Sequence, residues 1–94
     1  MKIYTINYDL RKQRNYEHLY DAIKSYSNWA HPLESMWVIL SNKTATQIRD
    51  HLVQHIDGDD QLIVAGATGE AAWLNLGDDV SRWLKQHMST NAIA

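Results

Sequence analysis

Apolar and polar positions alternate from the start of the chain. Ile3, Tyr4, Ile6 and Tyr8 are interleaved with Thr5 and Asn7 between Lys2 and Leu10. That density of β-branched and aromatic residues predicts a strand, and one expected inside a sheet. Asn15 offers a helix cap, after which Tyr16, Leu19, Tyr20, Ile23 and Tyr26 recur at the spacing of one helical face. Ser27 and Asn28 end it. Trp29–Pro32 reads as irregular, because proline is excluded from a central strand. Leu33–Leu40 is a second strand, either single or bent into two short ones. Thr44 and Gln47 have capping-box spacing, and Ala45, Ile48, Leu52 and Ile56 form the stripe of a second helix. Asp57–Asp60 is a turn with Gly58 as a stop. Leu62–Ala65 is a short buried strand, Gly66–Glu70 a hairpin loop, and Ala71–Leu76 its return strand. Asp78 or Asp79 caps a last helix with Val80, Trp83, Leu84 and His87 on one face. A disordered tail is expected from Ser89 onward.

This order predicts a single α+β domain over residues 1–88. Its architecture is a ferredoxin-like βαββαβ sandwich with an extra C-terminal strand and helix. A small α/β sandwich with another strand order has the same periodicity. At 94 residues the core has little margin, and small domains recover margin by pairing.

The chain has no cysteine, which excludes disulfides, thiolate metal sites and cysteine nucleophiles. The start lacks the apolar core and cleavage site of a signal peptide, and no apolar run approaches the roughly 18 residues of a membrane span. A cytoplasmic protein with no membrane partner is expected. The net charge of −2 leaves the domain as a whole no general affinity for phosphates, so any nucleic-acid surface must be local. Basic residues do gather near the N-terminus, at Lys2, Arg11, Lys12 and Arg14, and acids at Asp57, Asp59, Asp60, Asp78 and Asp79.

Asp9 stands out chemically. A carboxylate at the C-terminal end of a first strand lies where α/β folds place ligands, by analogy with doubly wound sheets, and Arg11, Lys12 and Arg14 follow at once. A carboxylate to hold Mg²⁺ or Mn²⁺ and cations to hold phosphate are the parts of a metal-assisted phosphodiester site. The plain alternative is that Asp9 ends a strand and starts a turn. A single carboxylate needs help, which a two-fold dimer with Asp9 near its axis would supply. Other motifs carry less. His51 and His55 have the i, i+4 spacing of a zinc pair but no glutamate base between them, and they flank the Ile48/Leu52 stripe, as edge-of-core residues do. Gly66–Gly69 lacks the Lys-Ser/Thr of a phosphate-binding loop. Ser35 has no nucleophile elbow around it. Four Trp and five Tyr with no Phe suit half-buried surfaces and interfaces, and such rings also stack on bases.

Three stretches resemble the Cas2 superfamily, which includes the VapD-like toxin ribonucleases and small stand-alone relatives. Tyr8-Asp9-Leu10 is similar to that family's Tyr-Asp-hydrophobic signature. Ser35-Met36-Trp37 is similar to its Ser-hydrophobic-aromatic signature. The acidic turn Asp57–Asp60 before Leu62-Ile63-Val64 is similar to its last βαβ junction. The resemblance spans roughly residues 1–76. Glu34 stands where a Gln often precedes the Ser, and the residues after Leu76 depart from the family's usual tail, which points to a stand-alone relative.

The resemblance implies a ferredoxin-like fold and a homodimer in which the final strand pairs across subunits. It implies Asp9 as metal-binding acid in the dimer cleft, with Ser35 and Trp37 near it. It implies either a metal-dependent endonuclease on RNA or DNA, or a non-catalytic adaptor for nucleic acid. The expectation is therefore a dimeric endonuclease with Asp9 as catalytic and metal-binding residue, Mg²⁺ or Mn²⁺ as cofactor, and Arg11, Lys12, Arg14, Ser35 and Trp37 toward the substrate. The alternative is a dimeric binding module for nucleic acid or a protein partner.

Overall fold

The computed structural model describes residues 1–12 and 15–88; Arg14 and the tail expected from Ser89 lie outside them. The elements are β1 (Lys2–Asp9), α1 (Glu17–Lys24), β2 (Asn28–Leu33), β3 (Met36–Ser41), α2 (Ala45–Leu52), β4 (Gln61–Gly66) and α3 (Asp78–His87), with a short 3₁₀ turn at Val53–His55. The four strands form one sheet in the order β2-β3-β1-β4, every neighbouring pair antiparallel. β1 is thus an interior strand, as its composition predicts. No helix among the described residues is long and apolar enough to cross a membrane.

The period of two in β1 sorts the core. Tyr4, Ile6 and Tyr8 point to one face with Trp37 and Ile39 of β3, and there they meet Leu19 and Ile23 of α1 and Ile48 and Leu52 of α2. Both helices are short, so burial of an apolar stripe, more than intrinsic propensity, holds them. The α1 N-cap is Tyr16, with no side-chain cap, and not the expected Asn15; Asn15 makes an Asx turn just before it, its Oδ1 accepting from the Glu17 N–H at 2.8 Å. Thr44 and Gln47 close the expected capping box, with Gln47 N–H to Thr44 Oγ1 at 3.1 Å and Thr44 N–H to Gln47 Oε1 at 2.9 Å. Thr44→Ala is expected to cost about 1 kcal/mol, read as a melting temperature lower by about 4–8 °C.

Several expectations are revised. Trp29–Pro32 is not irregular but lies in β2, an edge strand with a register shift between Ala30 and Leu33. Proline is tolerated at an edge or a bulge because no ladder hydrogen bond is lost there. Of the two alternatives for the second predicted strand, the divided one is found: a turn at Glu34–Ser35 separates β2 from β3, and Ser35 is a turn residue rather than a strand residue.

The predicted hairpin and its return strand Ala71–Leu76 do not form; residues 67–77 have no strand. Gly69 (φ 99°) and Asn75 (φ 61°) turn the backbone out of the extended region. The physical reason is the second face of the sheet. Val38 is buried there with Leu84 and Met88, and Ile3, Met36, Ala67, Ala71, Trp73, Leu76, Val80 and Trp83 pack around them. The segment covers that apolar face with side chains instead of pairing along β4, and delivers α3 to the side of β2. Gly77, not Asp78 or Asp79, is the α3 N-cap; the two acids occupy the first turn, where the helix dipole favours them.

Candidate functional site

β1 ends at Asp9, opposite Gln61 of β4. Asp9 follows Asn7 in the alternation, so its carboxylate extends the face that carries α3 and not the face of α1 and α2. The side chain is 62% exposed, and Arg11 Nη2 lies 3.5 Å from its Oδ2. The same guanidinium nitrogen donates to Gln61 Oε1 at 3.1 Å. Lys12 Nζ lies 3.6 Å from Asp59 Oδ1 and 3.8 Å from Asp57 Oδ2. Two of the three expected phosphate-holding cations are therefore beside carboxylates, and the third, Arg14, is outside the described residues. Such exposed pairs are worth only about 0–1 kcal/mol, so an incoming phosphate can exchange with the carboxylates.

Asp60 organises this end of the sheet, a role that the sequence pattern showed only as part of a turn. Its Oδ1 accepts from the Arg11 N–H at 2.7 Å and the Tyr16 hydroxyl at 3.1 Å, and its Oδ2 accepts from the Asp57 N–H at 2.8 Å. One carboxylate thus ties the exit of β1 to the entry of α1 and to the acidic turn. Contacts across such sequence separation leave no periodic signal.

Ser35 sits at the same end, where its carbonyl accepts from the Tyr8 N–H at 3.1 Å. Trp37 is 2% exposed and points to the helix-covered face, away from Asp9. Its Nε1–H donates to the Tyr8 hydroxyl at 2.9 Å, and that hydroxyl donates to the Glu34 carbonyl at 3.2 Å. Burial raises the Tyr8 pKa, partly offset by the indole donor, so the phenol stays neutral and able to donate. The structure brings together Asp9, Arg11 and, across the β2–β3 turn, Ser35. It separates Trp37 from them by the thickness of the sheet.

Among the described residues no three His, Asp or Glu side chains converge as a metal-binding group. A single hard-oxygen carboxylate beside Gln61 does not make a standing cage. It does fit Mg²⁺ or Mn²⁺ taken up together with a phosphate, since Mg²⁺ is commonly held by one or two carboxylates plus water and substrate oxygens.

The His51/His55 pair is structural in its setting. His51 Nδ1 and the Tyr26 hydroxyl are 2.9 Å apart, and the His51 and His55 rings meet edge-on at 5.8 Å. Burial lowers the His51 pKa, and Lys43 and His55 push the same way. The unfolded chain therefore takes up this proton first. Stability from His51 is complete above the ordinary value near pH 6.5 and is lost as pH falls through the folded value. Urea midpoints at pH 7.5 and 5.5 are expected to differ more in the wild type than in His51→Gln.

No family model matches the chain. The fold is similar to the crystal structure of a hypothetical protein, TT1823, from Thermus thermophilus. The TM-score is 0.63 at 21% identity, over 78% of this chain and 89% of that one. At that identity the likeness speaks for the fold alone: a small α+β domain built on a four-stranded antiparallel sheet.

Proposed function

We propose that the chain is a dimeric, metal-dependent phosphodiesterase acting on RNA or DNA, a stand-alone relative of the Cas2 superfamily with a ferredoxin-like domain. The observation that carries this reading is Asp9: a solvent-facing carboxylate at the end of an interior strand, with a guanidinium 3.5 Å away. The strand order 4-1-3-2, with α1 and α2 on one face, supports the ferredoxin-like assignment. β4 lies at the edge of the sheet and Ile63 on it is 65% exposed, which supports pairing of that edge with a second copy. A two-fold axis passing close to Asp9 would bring the partner subunit's Asp9 beside it, doubling the carboxylates. When bound, the divalent ion would lower the pKa of a water and neutralise charge on the phosphate. The chain's own part is to hold the ion through Asp9 and to orient the phosphate through Arg11, with Lys12 and Arg14 drawing the strand in. Ser35 would border the cleft, and Trp37 would support it from beneath through Tyr8.

The test is cleavage of single- and double-stranded RNA and DNA in Mg²⁺, Mn²⁺ or EDTA, alongside the mass in solution by light scattering. Cleavage that needs metal and a mass of two chains supports the reading. A monomer that cleaves would remove the shared-carboxylate part. One observation favours a second reading, a non-catalytic adaptor: Arg11 and Lys12 already face Asp9, Asp57 and Asp59, leaving this end acid-rich and suited to a basic protein partner. No cleavage in any metal or at any pH would select it.

A further inference from the structure

We propose a second contact surface, distinct from the Asp9 site: a base-stacking subsite for single-stranded nucleic acid on the outer edge of β2, formed by Trp29, His31 and Lys24. It rests on the nucleic-acid reading above and adds where the bases go.

The subsite is built outward from a buried ring. Trp37 is the anchor, with Tyr20 stacked near it at 6.2 Å and 24°. The His31 imidazole lies flat on the same indole, centroids 3.8 Å apart and planes 8° apart. Trp29 closes the group, tilted at 5.4 Å. One face of His31 is taken by Trp37, yet the residue is exposed, so its outer face is presented to solvent. Trp29 is 38% exposed. Lys24 Nζ stands 5.5 Å from the Trp29 centroid and 6.0 Å from that of Trp37. Flat rings with a cation above them are the parts that hold a stacked base and its phosphate.

The platform is preorganised. His31 Nε2 lies 3.1 Å from the Glu34 carbonyl; a carbonyl only accepts, so Nε2 carries the proton and the ring plane is held. The same carbonyl accepts from the Tyr8 hydroxyl, which in turn receives the Trp37 indole N–H. This chain of hydrogen bonds joins the stack to Tyr8, the residue before Asp9. The stack thus lies toward the same end of the sheet as Asp9 but on the opposite face, with β3 between β2 and β1, so a strand held there would have to pass around that end to reach Asp9. The ligand must be single-stranded, because a duplex keeps its base faces stacked on one another.

The test uses the full chain in EDTA, so that binding is read without cleavage. Labelled 20-nucleotide RNA, DNA of the same sequence and the corresponding duplex are titrated by fluorescence anisotropy. Trp29→Ala and His31→Ala are each expected to weaken single-strand binding about 5- to 100-fold, equally on RNA and DNA, with little change on the duplex. Trp29→Phe, which keeps a ring, is expected to recover most of the binding. Urea unfolding of each variant separates loss of the platform from loss of the fold, and Trp29→Ala serves if His31→Ala loosens Trp37. Wild-type binding of single strands that both alanine variants retain would overturn the subsite and leave the phosphodiesterase reading standing. A wild type that binds only duplex would do the same. A wild type that neither binds nor cleaves any of them would overturn both.

Discussion

Asp9→Asn is expected to abolish metal-dependent cleavage, by about a hundredfold or more, while leaving the fold and strand binding in EDTA unchanged. The asparagine amide is nearly isosteric but carries no charge. A divalent ion taken up with a phosphate would lose its anionic protein ligand, and charge stabilisation by a metal is worth several kcal/mol, about a factor of ten for every 1.4 kcal/mol. In a dimer that shares the ion, the loss is doubled at one stroke because both subunits change together. The fold is indifferent because the side chain is 62% exposed and its pairing with Arg11 is a surface ion pair. The assay compares wild type and variant with Mg²⁺, Mn²⁺ and EDTA, with circular dichroism as a control. Full activity in Asp9→Asn would remove Asp9 from the mechanism and would leave its turn-forming role.

Trp37→Ala is expected to have the largest effect on stability, about 3–5 kcal/mol. A domain of this size has only about 5–15 kcal/mol in all, so much of the variant would be unfolded in moderate urea. The indole is 2% exposed, touches the rings of Tyr20, Trp29 and His31 and donates to Tyr8. Removing it leaves a cavity and takes a hydrogen bond from the Tyr8 hydroxyl at once. Trp37→Phe fills most of the volume and is expected to lose far less. Urea denaturation followed by circular dichroism measures both. The consequence for function is direct: lost cleavage in Trp37→Ala would report on the core and not on a substrate contact. A Trp37→Ala protein as stable as wild type would contradict the central place of this ring.

Much of the site's chemistry was legible because it is local. The strand from Lys2, the capping box at Thr44 and Gln47, and the stripes of α1 and α2 are periodic over a few residues, and the structure has them. Asp9 at a strand end, followed by Arg11 and Lys12, is likewise a feature of neighbours in the chain. Trp29 was harder. Pro32 argues against a strand only if that strand is central, and nothing in the sequence states that β2 lies at the edge.

By itself, the sequence determined the two helices that cover one face, the interior character of β1 and the order of acids and bases at its end. Tertiary structure decided three other things. It turned Ala71–Leu76 from a return strand into a cover for Val38 and its neighbours, because an apolar second face must be hidden by whatever chain can reach it. It set Arg11 and Lys12 against Asp9, Asp57 and Asp59, and made Asp60 the tie between β1 and α1. It placed Trp37 and Asp9 on opposite faces of the sheet, although both belong to the same resemblance. The reason is common to all three. Strand period and helix period are written in adjacent residues, whereas which carboxylate meets which cation, and which ring lies on which, depends on chain segments brought together across dozens of residues.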